Sequence, residues 1–245
     1  MEHDLVLRDD AEGIATLTLN RPDKLNAMNP AAFVELRTHL ESIKDDESVR
    51  VVVLRGAGRS FCAGNDLGSI AAGERAPTPH YQAETIDLLE ALPQATIAQV
   101  HGHCFTGALE LILGCDLIVC AQDAQIGDTH GQWGLIPVWG MSVRLPERVG
   151  VARARELSFT AKRISGTEAA AFGLANHAVP LEELDGLVAE MAGQIAASSA
   201  GTVSKMKRLI TDSQNMERTA ALLRERERPY GRPDDMEERM RAGGR

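Results

Sequence analysis

The sequence lacks the patterns of a secreted protein, of a membrane-spanning protein and of a protein stabilised by disulfides or by a cysteine-bound metal. Its four cysteines have no CxxC spacing and lie in apolar surroundings, which predicts reduced thiols in a cytoplasmic protein and no metal site. They are Cys62, Cys104, Cys115 and Cys120. No apolar run reaches the roughly 20 residues that a membrane-spanning helix needs. Residues Met1 to Asp4 also lack the cationic and apolar segments of a secretory signal.

Two phosphate-binding glycine motifs are absent as well. Without GxGxxG or GxxxxGKS/T, the chain has no dinucleotide or nucleoside-triphosphate fingerprint. A net charge of -9 disfavours binding to nucleic acid or to an anionic membrane, although a local cationic cluster could still hold a phosphorylated ligand. The 245 residues are 44% hydrophobic and 25% charged, which is the composition of a folded protein. We expect one principal domain with an appendage.

Residues 101–116 form the most informative stretch of the sequence. They follow a β-type run at Thr96 to Val100, turn at Gly102, and then stay apolar for longer than a buried strand usually lasts. The pattern predicts a strand, a turn and a helix that begins near Thr106, a suitable N-cap residue, or at Gly107. Because this helix has no polar stripe, it should be buried on every side, and yet it contains Glu110.

The spacing of Gly107 and Glu110 places them on one face of the predicted helix. The first amides of a helix have no acceptor within it, so a free N–H group and a carboxyl group would border one pocket. Burial raises the pKa of a carboxyl group, which would make Glu110 a proton donor or acceptor near neutral pH. Alternatively, Glu110 pairs with an arginine or lies at the helix edge facing water.

The remaining elements follow from hydrophobic periodicity and turn residues. A hairpin of Asp4 to Arg8 with Gly13 to Asn20 is predicted first, then a helix from Pro30 to about Ile43 and a central strand from Val49 to Arg55. The glycine-containing turn from Gly56 to Leu67 exposes backbone, and we expect a helix after Asn65. Beyond Pro180 the pattern predicts three helices. They cover Leu181 to Ala197, Gly201 to Ser213 and Met216 to Glu227.

Several motifs along the chain, in order and at matching separations, resemble those of the crotonase superfamily, the enoyl-CoA hydratase/isomerase family. The resemblance extends from residue 4 to about residue 185, and the last part is similar to the helical tail of that family. The shared motifs are Asn20-Arg21-Pro22 with Lys24 to Ala27, Ser60 to Gly64 with Asp66-Leu67, His101-Gly102 with Gly107 and Glu110, Cys115-Asp116, Gly134 to Pro137, and Ala169 to Leu174.

The resemblance implies an α/β fold, a crotonase-like spiral of ββα repeats with a C-terminal helical oligomerisation region. Residues 1–185 would form the acyl-CoA-binding core, and residues 186–245 would promote trimerisation and complete the acyl-CoA site. The expected assembly is a homotrimer or a dimer of trimers. The expected partner is an acyl-CoA thioester, with no cofactor because coenzyme A is part of the substrate, and with no nucleic acid, membrane or metal.

The family also implies roles for individual residues. Its oxyanion hole, two backbone N–H groups around the thioester oxygen, maps to Asn65 and Gly107. These donors would stabilise an enolate where its charge develops. The substrate-binding positions map to Lys24, Leu25, Ala27, Ala63, Gly64, Asp66, Leu67, Gly68 and Trp133. Arg21 or Lys24 could face the phosphates of coenzyme A, or either could be a solvated surface charge.

One departure from the family concerns the chemistry itself. A typical hydratase activates water with two glutamates; Glu110 matches the first, but His130 occupies the position of the second. An imidazole titrates near neutrality, so His130 could transfer a proton, with Asp128 orienting it, or it could only fill the pocket wall. We expect hydration of a 2-enoyl-CoA to a 3-hydroxyacyl-CoA. The alternatives are double-bond isomerisation, thioester hydrolysis, decarboxylation, or a catalytically silent acyl-CoA-binding protein.

Two other groups of residues have simpler interpretations. His101, His103 and Cys104 superficially suggest zinc, but alternate residues near a strand end point to opposite faces and no second ligand pair follows. Cys104 as a nucleophile would make a thioesterase, but a small buried side chain is the expected role. Trp133 and Trp139 should shape the acyl pocket or pack against it.

Overall fold

The computed structural model describes residues 4–243, so residues 1–3 and 244–245 of the predicted core and helical tail lie outside it. Its strands are β1 Val6–Ala11, β2 Ile14–Leu19, β3 Val51–Gly56, β4 Ala95–Val100, β5 His103–Phe105, β6 Leu117–Ala121, β7 Gln125–Gly127, β8 Ile164–Ser165 and β9 His177–Val179. Its helices are α1 Pro30–Lys44, α2 Leu67–Ala71, α3 Tyr81–Ala91, α4 Gly107–Leu113, α5 His130–Trp133, α6 Met141–Val149, α7 Val151–Thr160, α8 Gly166–Ala171, α9 Leu181–Ala197, α10 Ala200–Gln214, α11 Arg218–Glu227 and α12 Met236–Gly243.

The main sheet has six strands in the order β1-β2-β3-β4-β6-β9. Strands β1 and β2 pair antiparallel, and each later pair in the sheet is parallel. Every residue of β4 is buried, and so is every residue of β3 except Arg55, as expected for central strands with both faces covered. The predicted α/β class and the central position of the Val51 strand are confirmed.

The predicted hairpin is also confirmed, with a shorter turn. Strand β1 extends to Ala11, so only Glu12 and Gly13 connect it to β2, both with positive φ. Helix α1 begins at Pro30, where the side chain of Asn29 accepts a hydrogen bond from Ala32 N–H, and it buries the apolar face that includes Phe33, Leu36 and Leu40. This face covers the sheet beside the functional site.

A second sheet of β5, β7 and β8 lies beyond the carboxyl ends of β3 and β4. Two residues separate the end of β4 from the start of β5, and β5 pairs with β7 in parallel. The chain then enters α4, a seven-residue helix in which every residue is buried, as its uniformly apolar sequence predicts. The sheet thus delivers two loops, 57–66 and 101–106, to the same edge of the fold.

The carboxyl-terminal helices follow the predicted bounds closely. Helix α9 matches its prediction at both ends, α10 is one residue longer at each end, and α11 begins at Arg218 instead of Met216. The predicted boundary between residues 185 and 186 falls inside α9, which packs its buried Leu184 and Val188 against the main sheet. Within residues 4–243, no helix combines the length and apolarity required to cross a bilayer.

Helix α10 is attached to the core by an ion pair. Lys207 Nζ lies 2.8 Å from Asp116 Oδ2 and 3.2 Å from the carbonyl oxygen of Gln94. The same carboxylate accepts hydrogen bonds from the amide and hydroxyl of Thr96, at 2.8 and 2.9 Å. Asp116 therefore joins the start of β4, the start of β6 and the carboxyl-terminal helices.

We expect Lys207→Met to loosen α10 from the core while keeping the apolar stem of the side chain. Because the ion pair is partly exposed, its loss should lower the free energy of unfolding by only about 1 kcal/mol, but proteolysis after α9 should accelerate. Lys205→Met is the matched control, since Lys205 forms no ion pair with residues 4–243. Limited proteolysis with mass spectrometry measures the effect, and equal cleavage of the two variants would contradict it.

Candidate active site

Two loops are joined by backbone pairing at the candidate site. Cys62 N–H donates to the carbonyl of His103 at 2.9 Å, and Cys62 and Cys104 form a parallel β-bridge. Asn65 forms a second bridge with Met28, whose N–H donates to the Gly64 carbonyl at 2.8 Å. These pairings fix the positions of the two amides predicted to form an oxyanion hole, because each follows its bridged cysteine by three residues.

Gly64 allows the two loops to touch. Its φ is +104°, and a Cβ atom there would lie 2.6 Å from the Phe105 carbonyl oxygen and 3.6 Å from the Gly107 amide nitrogen. Asn65, the next residue, is therefore close to Gly107. Neither the N–H group of Asn65 nor that of Gly107 has a hydrogen-bond acceptor among residues 4–243. Two unpaired backbone donors therefore lie near each other, at the positions that the family resemblance implies for an oxyanion hole.

Thr106 occupies the predicted N-cap position, but its side chain does not cap the helix. Its φ of 56° and ψ of -111° turn the hydroxyl away from the first turn of α4. The oxygen instead lies 2.5 Å from the hydroxyl oxygen of Thr129. The positive φ of Thr106 therefore belongs to a turn whose side chain bonds to Thr129 instead of to the first turn of α4.

Glu110 is buried in the first turn of α4 and is 2% exposed. Its Oε1 accepts hydrogen bonds from the backbone amides of Trp139, at 2.9 Å, and Met141, at 3.2 Å. Burial raises the pKa of the carboxyl group, and the two amides and the nearby imidazole of His130 offset this only in part. Both simpler interpretations are wrong: Glu110 does not face water, and it has no arginine partner among the described residues.

His130 links Glu110 to a second carboxylate. Its Nδ1 lies 2.7 Å from Asp128 Oδ1, and its Nε2 lies 3.7 Å from Glu110 Oε2. Burial alone would raise the pKa of Asp128, but hydrogen bonds from His130 and Ser158 outweigh it, so the net shift is downward. An ionised Asp128 can only accept a hydrogen bond, which assigns the Nδ1 proton to His130 and directs Nε2 towards Glu110.

An adjacent cavity of about 520 Å³ collects most of the residues predicted to bind substrate. Lys24, Leu25, Ala27, Ala63, Asp66, Leu67, Gly68 and Trp133 all line it, together with Asn65, Thr106 and Thr129. Gly64 is buried beneath its wall, in contact with Phe105. Gly107, Glu110 and His130 are also not among the lining residues; Gly107 and Glu110 follow Thr106 by one and four positions, and His130 follows Thr129 by one.

The charged residues around the cavity divide into paired and unpaired groups. Arg21 Nη1 lies 2.9 Å from Asp66 Oδ2, so this arginine is engaged in an ion pair. Lys24 lines the cavity without an ion-pair partner in the described part of the chain. Arg163, which sequence analysis did not single out, also lines it, with its guanidinium 4.7 Å from the centre of the Phe105 ring.

The cysteines and remaining histidines have structural contacts. All four thiols are free and buried, and burial raises the pKa of Cys62, Cys115 and Cys120 to about 12 and that of Cys104 well above its usual value. The His103 ring bonds to the Ser60 hydroxyl, whereas His101 bonds to the Gly58 carbonyl. Across residues 4–243, no group of three or more potential ligands is arranged to bind a metal.

Comparison with known proteins identifies the family of the chain. The family model described as enoyl-CoA hydratase/isomerase matches residues 9–239. The chain belongs to that family. A probable peroxisomal enoyl-CoA hydratase of Arabidopsis thaliana is 32% identical over 229 residues, covering 94% of this chain and 86% of that protein. A crotonyl-CoA hydratase of Syntrophomonas wolfei is 32% identical over 199 residues, covering 80% of this chain and 76% of that protein.

Solved structures of the enoyl-CoA hydratase/isomerase family share the fold. The crystal structure of an enoyl-CoA hydratase from Bacillus anthracis has a TM-score of 0.87 and 33% sequence identity, and it covers 91% of this chain and 89% of that chain. The similarity confirms the crotonase-like α/β fold predicted from the motifs.

Sequence analysis missed the groups that contact the site residues but lie far from them along the chain. The amides of Trp139 and Met141 bind Glu110 across about 30 positions, and backbone donors leave no residue-type signal. Asn26 is buried and donates to the carbonyls of Ala57 and Ser60, joining the segment between β2 and α1 to the loop 57–66. Its place in the shared motif at Lys24 to Ala27 was the only available indication.

Substituting Gly64 tests whether the loop contact determines the local structure. We expect Gly64→Ala to lower the free energy of unfolding by about 3 kcal/mol, from overpacking against the Phe105 carbonyl together with left-handed backbone strain. Gly73→Ala is the control: its φ of +72° is similarly strained, but its Cβ would meet no atom within 4 Å. It should lose about 1 kcal/mol. Equal losses in urea denaturation would count against the contact.

The pH dependence of stability tests the burial of Glu110. Its raised pKa means that the folded protein binds this proton more tightly than the unfolded chain, so wild-type stability falls as pH rises through that pKa. We expect Glu110→Gln to gain stability relative to wild type between about pH 5 and about pH 8. Urea denaturation at several pH values measures this difference.

Glu168→Gln provides a control of opposite sign. Hydrogen bonds from the Ser165 amide and hydroxyl lower the pKa of Glu168, so its ionised form stabilises the fold above the ordinary glutamate pKa, and that stability is lost only as pH falls through the lowered value. This variant should be less stable than wild type by a constant amount over the same pH range. A Glu110→Gln curve parallel to wild type would contradict the assigned burial.

Proposed function

We propose that this protein hydrates a 2-enoyl-CoA thioester to a 3-hydroxyacyl-CoA. The observation that carries the proposal is that Glu110 Oε2 lies 3.7 Å from His130 Nε2, on the helix α4 that begins with Gly107, whose unpaired amide lies close to that of Asn65. Two donors for a developing oxyanion and two groups that can exchange protons are what addition of water next to a thioester requires.

The two amides would hold the thioester oxygen. Addition of water at C3 moves electrons through C2 and the carbonyl, so negative charge develops on that oxygen. Preorganised N–H groups in a site with little water stabilise this charge, and a single such donor contributes about 3 kcal/mol in the best-measured oxyanion hole. Because Glu110 is 2% exposed and His130 8% exposed, the field of these groups is screened little by solvent.

The carboxylate and imidazole would divide the proton transfers. A separation of 3.7 Å is too long for a hydrogen bond, and one water oxygen beside the two atoms can lie about 2.8 Å from each. Glu110 takes a proton from this water as its oxygen bonds to C3, and protonated His130 gives a proton from Nε2 to C2. Proton transfer from Glu110 to His130 then restores both groups, and the net change is addition of H and OH across the double bond.

Asp128 is a positioning residue in this scheme. Its carboxylate holds the Nδ1 proton of His130 and also accepts the His130 backbone N–H at 3.2 Å, which fixes both the ring orientation and the tautomer. A nearby negative charge also stabilises the imidazolium that donates the proton. The proposed reaction uses no group beyond the protein, water and the thioester.

The cavity supports binding of the coenzyme A portion. Lys24, Leu25 and Ala27 line one wall next to Ala63 and Asp66 to Gly68, and Lys24 and Arg163 supply cationic groups for phosphates. The engaged Arg21 instead holds Asp66, the residue whose side chain caps α2 through the amides of Gly68 and Ser69. We assign Arg21 a positioning role and propose Lys24 and Arg163 as the phosphate contacts.

We further propose the predicted division at residue 185 and assembly into a trimer or a dimer of trimers. The support is apolar surface on the carboxyl-terminal helices: Met206 and Ile210 of α10 and Leu223 of α11 are more than half exposed. The cytoplasmic location also stays a proposal. It rests on the buried reduced thiols, whereas the Arabidopsis relative carries a peroxisomal name.

A hydration assay with a short and a long 2-enoyl-CoA tests the proposal. Glu110→Gln should lower kcat about a hundredfold to ten-thousandfold, because the acid/base group is lost while its hydrogen bonds from Trp139 and Met141 can remain. His130→Ala should lose a similar factor. Asp128→Asn should lower kcat roughly tenfold and move the pH profile, because a neutral amide stabilises the imidazolium less. Loss of the absorbance of the conjugated double bond measures the rate.

Asp123→Asn is the matched control for Asp128, since Asp123 is exposed and lies outside this cavity. Wild-type hydration that survives Glu110→Gln would refute the proposed role of Glu110. Isomerised product, free coenzyme A or carbon dioxide would identify the isomerase, hydrolase or decarboxylase alternatives. Thioester binding without turnover across this panel would identify a catalytically silent acyl-CoA-binding protein.

A further inference from the structure

The indole ring of Trp139 lies directly against the candidate oxyanion hole. A Cβ atom on Gly107 would lie 2.3 Å from Cζ3 of this ring, 3.0 Å from Cε3 and 3.2 Å from Cη2. Trp139 is only 7% exposed. The ring therefore fills the space immediately beside the residue whose amide is proposed to hold the thioester oxygen.

The same residue also contacts the proposed acid/base group. The backbone N–H of Trp139 donates to Glu110 Oε1 at 2.9 Å. Its indole packs edge-on against Phe33, with the ring centroids 5.0 Å apart and the planes at 69°. Phe33 is 1% exposed in α1, so the indole is backed by a buried core residue and held by close packing. Trp139 is a fixed wall between the reaction centre and the interior.

An acyl tail that points inward must therefore be short, because the indole of Trp139 stops it close to the reacting carbons. The cavity wall reaches Thr106 and Thr129, whereas neither Phe33 nor Trp139 is among its lining residues in the described chain. On the basis of the proposed function, we propose that Trp139 closes the inner end of the acyl pocket and makes the protein selective for short-chain acyl-CoA thioesters. Trp139 is thus a specificity-determining residue.

A second path for the acyl tail leads outward. Leu67, Trp133 and Leu135 line the cavity, and they are 42%, 59% and 42% exposed. A tail that follows this path would contact Trp133 and would never meet Trp139. In this proposal Trp139 blocks the inward path and Trp133 lines the outward path. Substitutions at the two tryptophans of the chain therefore distinguish the two paths.

Affinities of saturated thioesters separate the two paths without depending on turnover. Butyryl-CoA and dodecanoyl-CoA have no double bond to hydrate, and calorimetry gives their Kd values for wild type, Trp139→Ala, Trp139→Phe and Trp133→Ala. We expect wild type to bind butyryl-CoA at least roughly tenfold more tightly than dodecanoyl-CoA. A dodecanoyl tail that cannot be buried adds no affinity. Forcing it against the closed end of the pocket also costs free energy through overpacking. Trp139→Ala should shift this ratio at least roughly tenfold towards dodecanoyl-CoA, because each newly buried methylene adds about fourfold.

The variants keep the contact that holds Glu110. It involves the backbone N–H of residue 139, which both alanine and phenylalanine retain. Trp139→Phe preserves much of the packing on Phe33 and should shift the ratio by an intermediate amount, so the test stands even if Trp139→Ala folds poorly. Trp133→Ala should leave the ratio within about threefold of wild type.

Three results would overturn the inference. Equal wild-type affinity for the two thioesters would show that the pocket has no inner stop, and a ratio that responds to Trp133→Ala alone would place the tail on the outward path. Binding of neither thioester would remove the acyl-CoA site and the inference with it. The expected ratios in a protein that does not hydrate 2-enoyl-CoA would instead support the pocket length and reject only the proposed reaction.

Discussion

The site depends on one backbone contact, the close approach of Gly64 to the carbonyl of Phe105. Strands β3 and β4 are parallel neighbours, so the sheet delivers their loops to one edge about 5 Å apart. That spacing alone would not orient the amides that follow. The contact does so, because only a glycine at φ +104° lets the first loop lie against the second, with Asn65 and Gly107 then side by side. Both N–H groups are left without acceptors in the described chain, so the pair has the geometry that the proposed oxyanion hole requires.

The fold also buries the carboxyl group of Glu110, which costs free energy of hydration. A carboxyl group in a wholly apolar helix loses most of its hydration, and the usual compensation would be an arginine or lysine. Here the partners among residues 4–243 are two neutral backbone amides and an imidazole. Two amides and an imidazole 3.7 Å away stabilise the ionised form less than an arginine in direct contact would, so burial prevails and the pKa of Glu110 rises. A cationic partner would have made the site more stable and Glu110 a weaker base. The raised pKa therefore lowers stability and suits the proposed acid/base role of Glu110.

Sequence reasoning predicted the parts of this site that are encoded locally. The uniformly apolar run around Glu110 predicted a buried helix, and shared motifs located Asn65 and Gly107, because each of these signals lies within a few consecutive residues. Thr106 is at the predicted N-cap position, but the expectation that its side chain caps α4 was wrong. Its hydroxyl and amide instead contact Thr129 and β7, and no local pattern encodes these contacts. The amides around Glu110 and the cationic wall formed by Arg163 were missed for the same reason. Tertiary structure brings them in from distant positions, and their residue types say nothing about where they will lie.

The replacement of a second glutamate by His130 preserves the charge of the site. Two buried carboxylates cannot both ionise at close range, so a glutamate pair holds one proton and one negative charge. An imidazolium in place of one glutamate would leave a neutral pair with Glu110. Asp128, 2.7 Å from the other ring nitrogen, supplies the missing negative charge, and its lowered pKa keeps it ionised. The three groups together again hold a transferable proton and a net charge of about -1, as a glutamate pair does. In the proposed mechanism, an aspartate two residues earlier thus lets an imidazole at this position take the place of a glutamate.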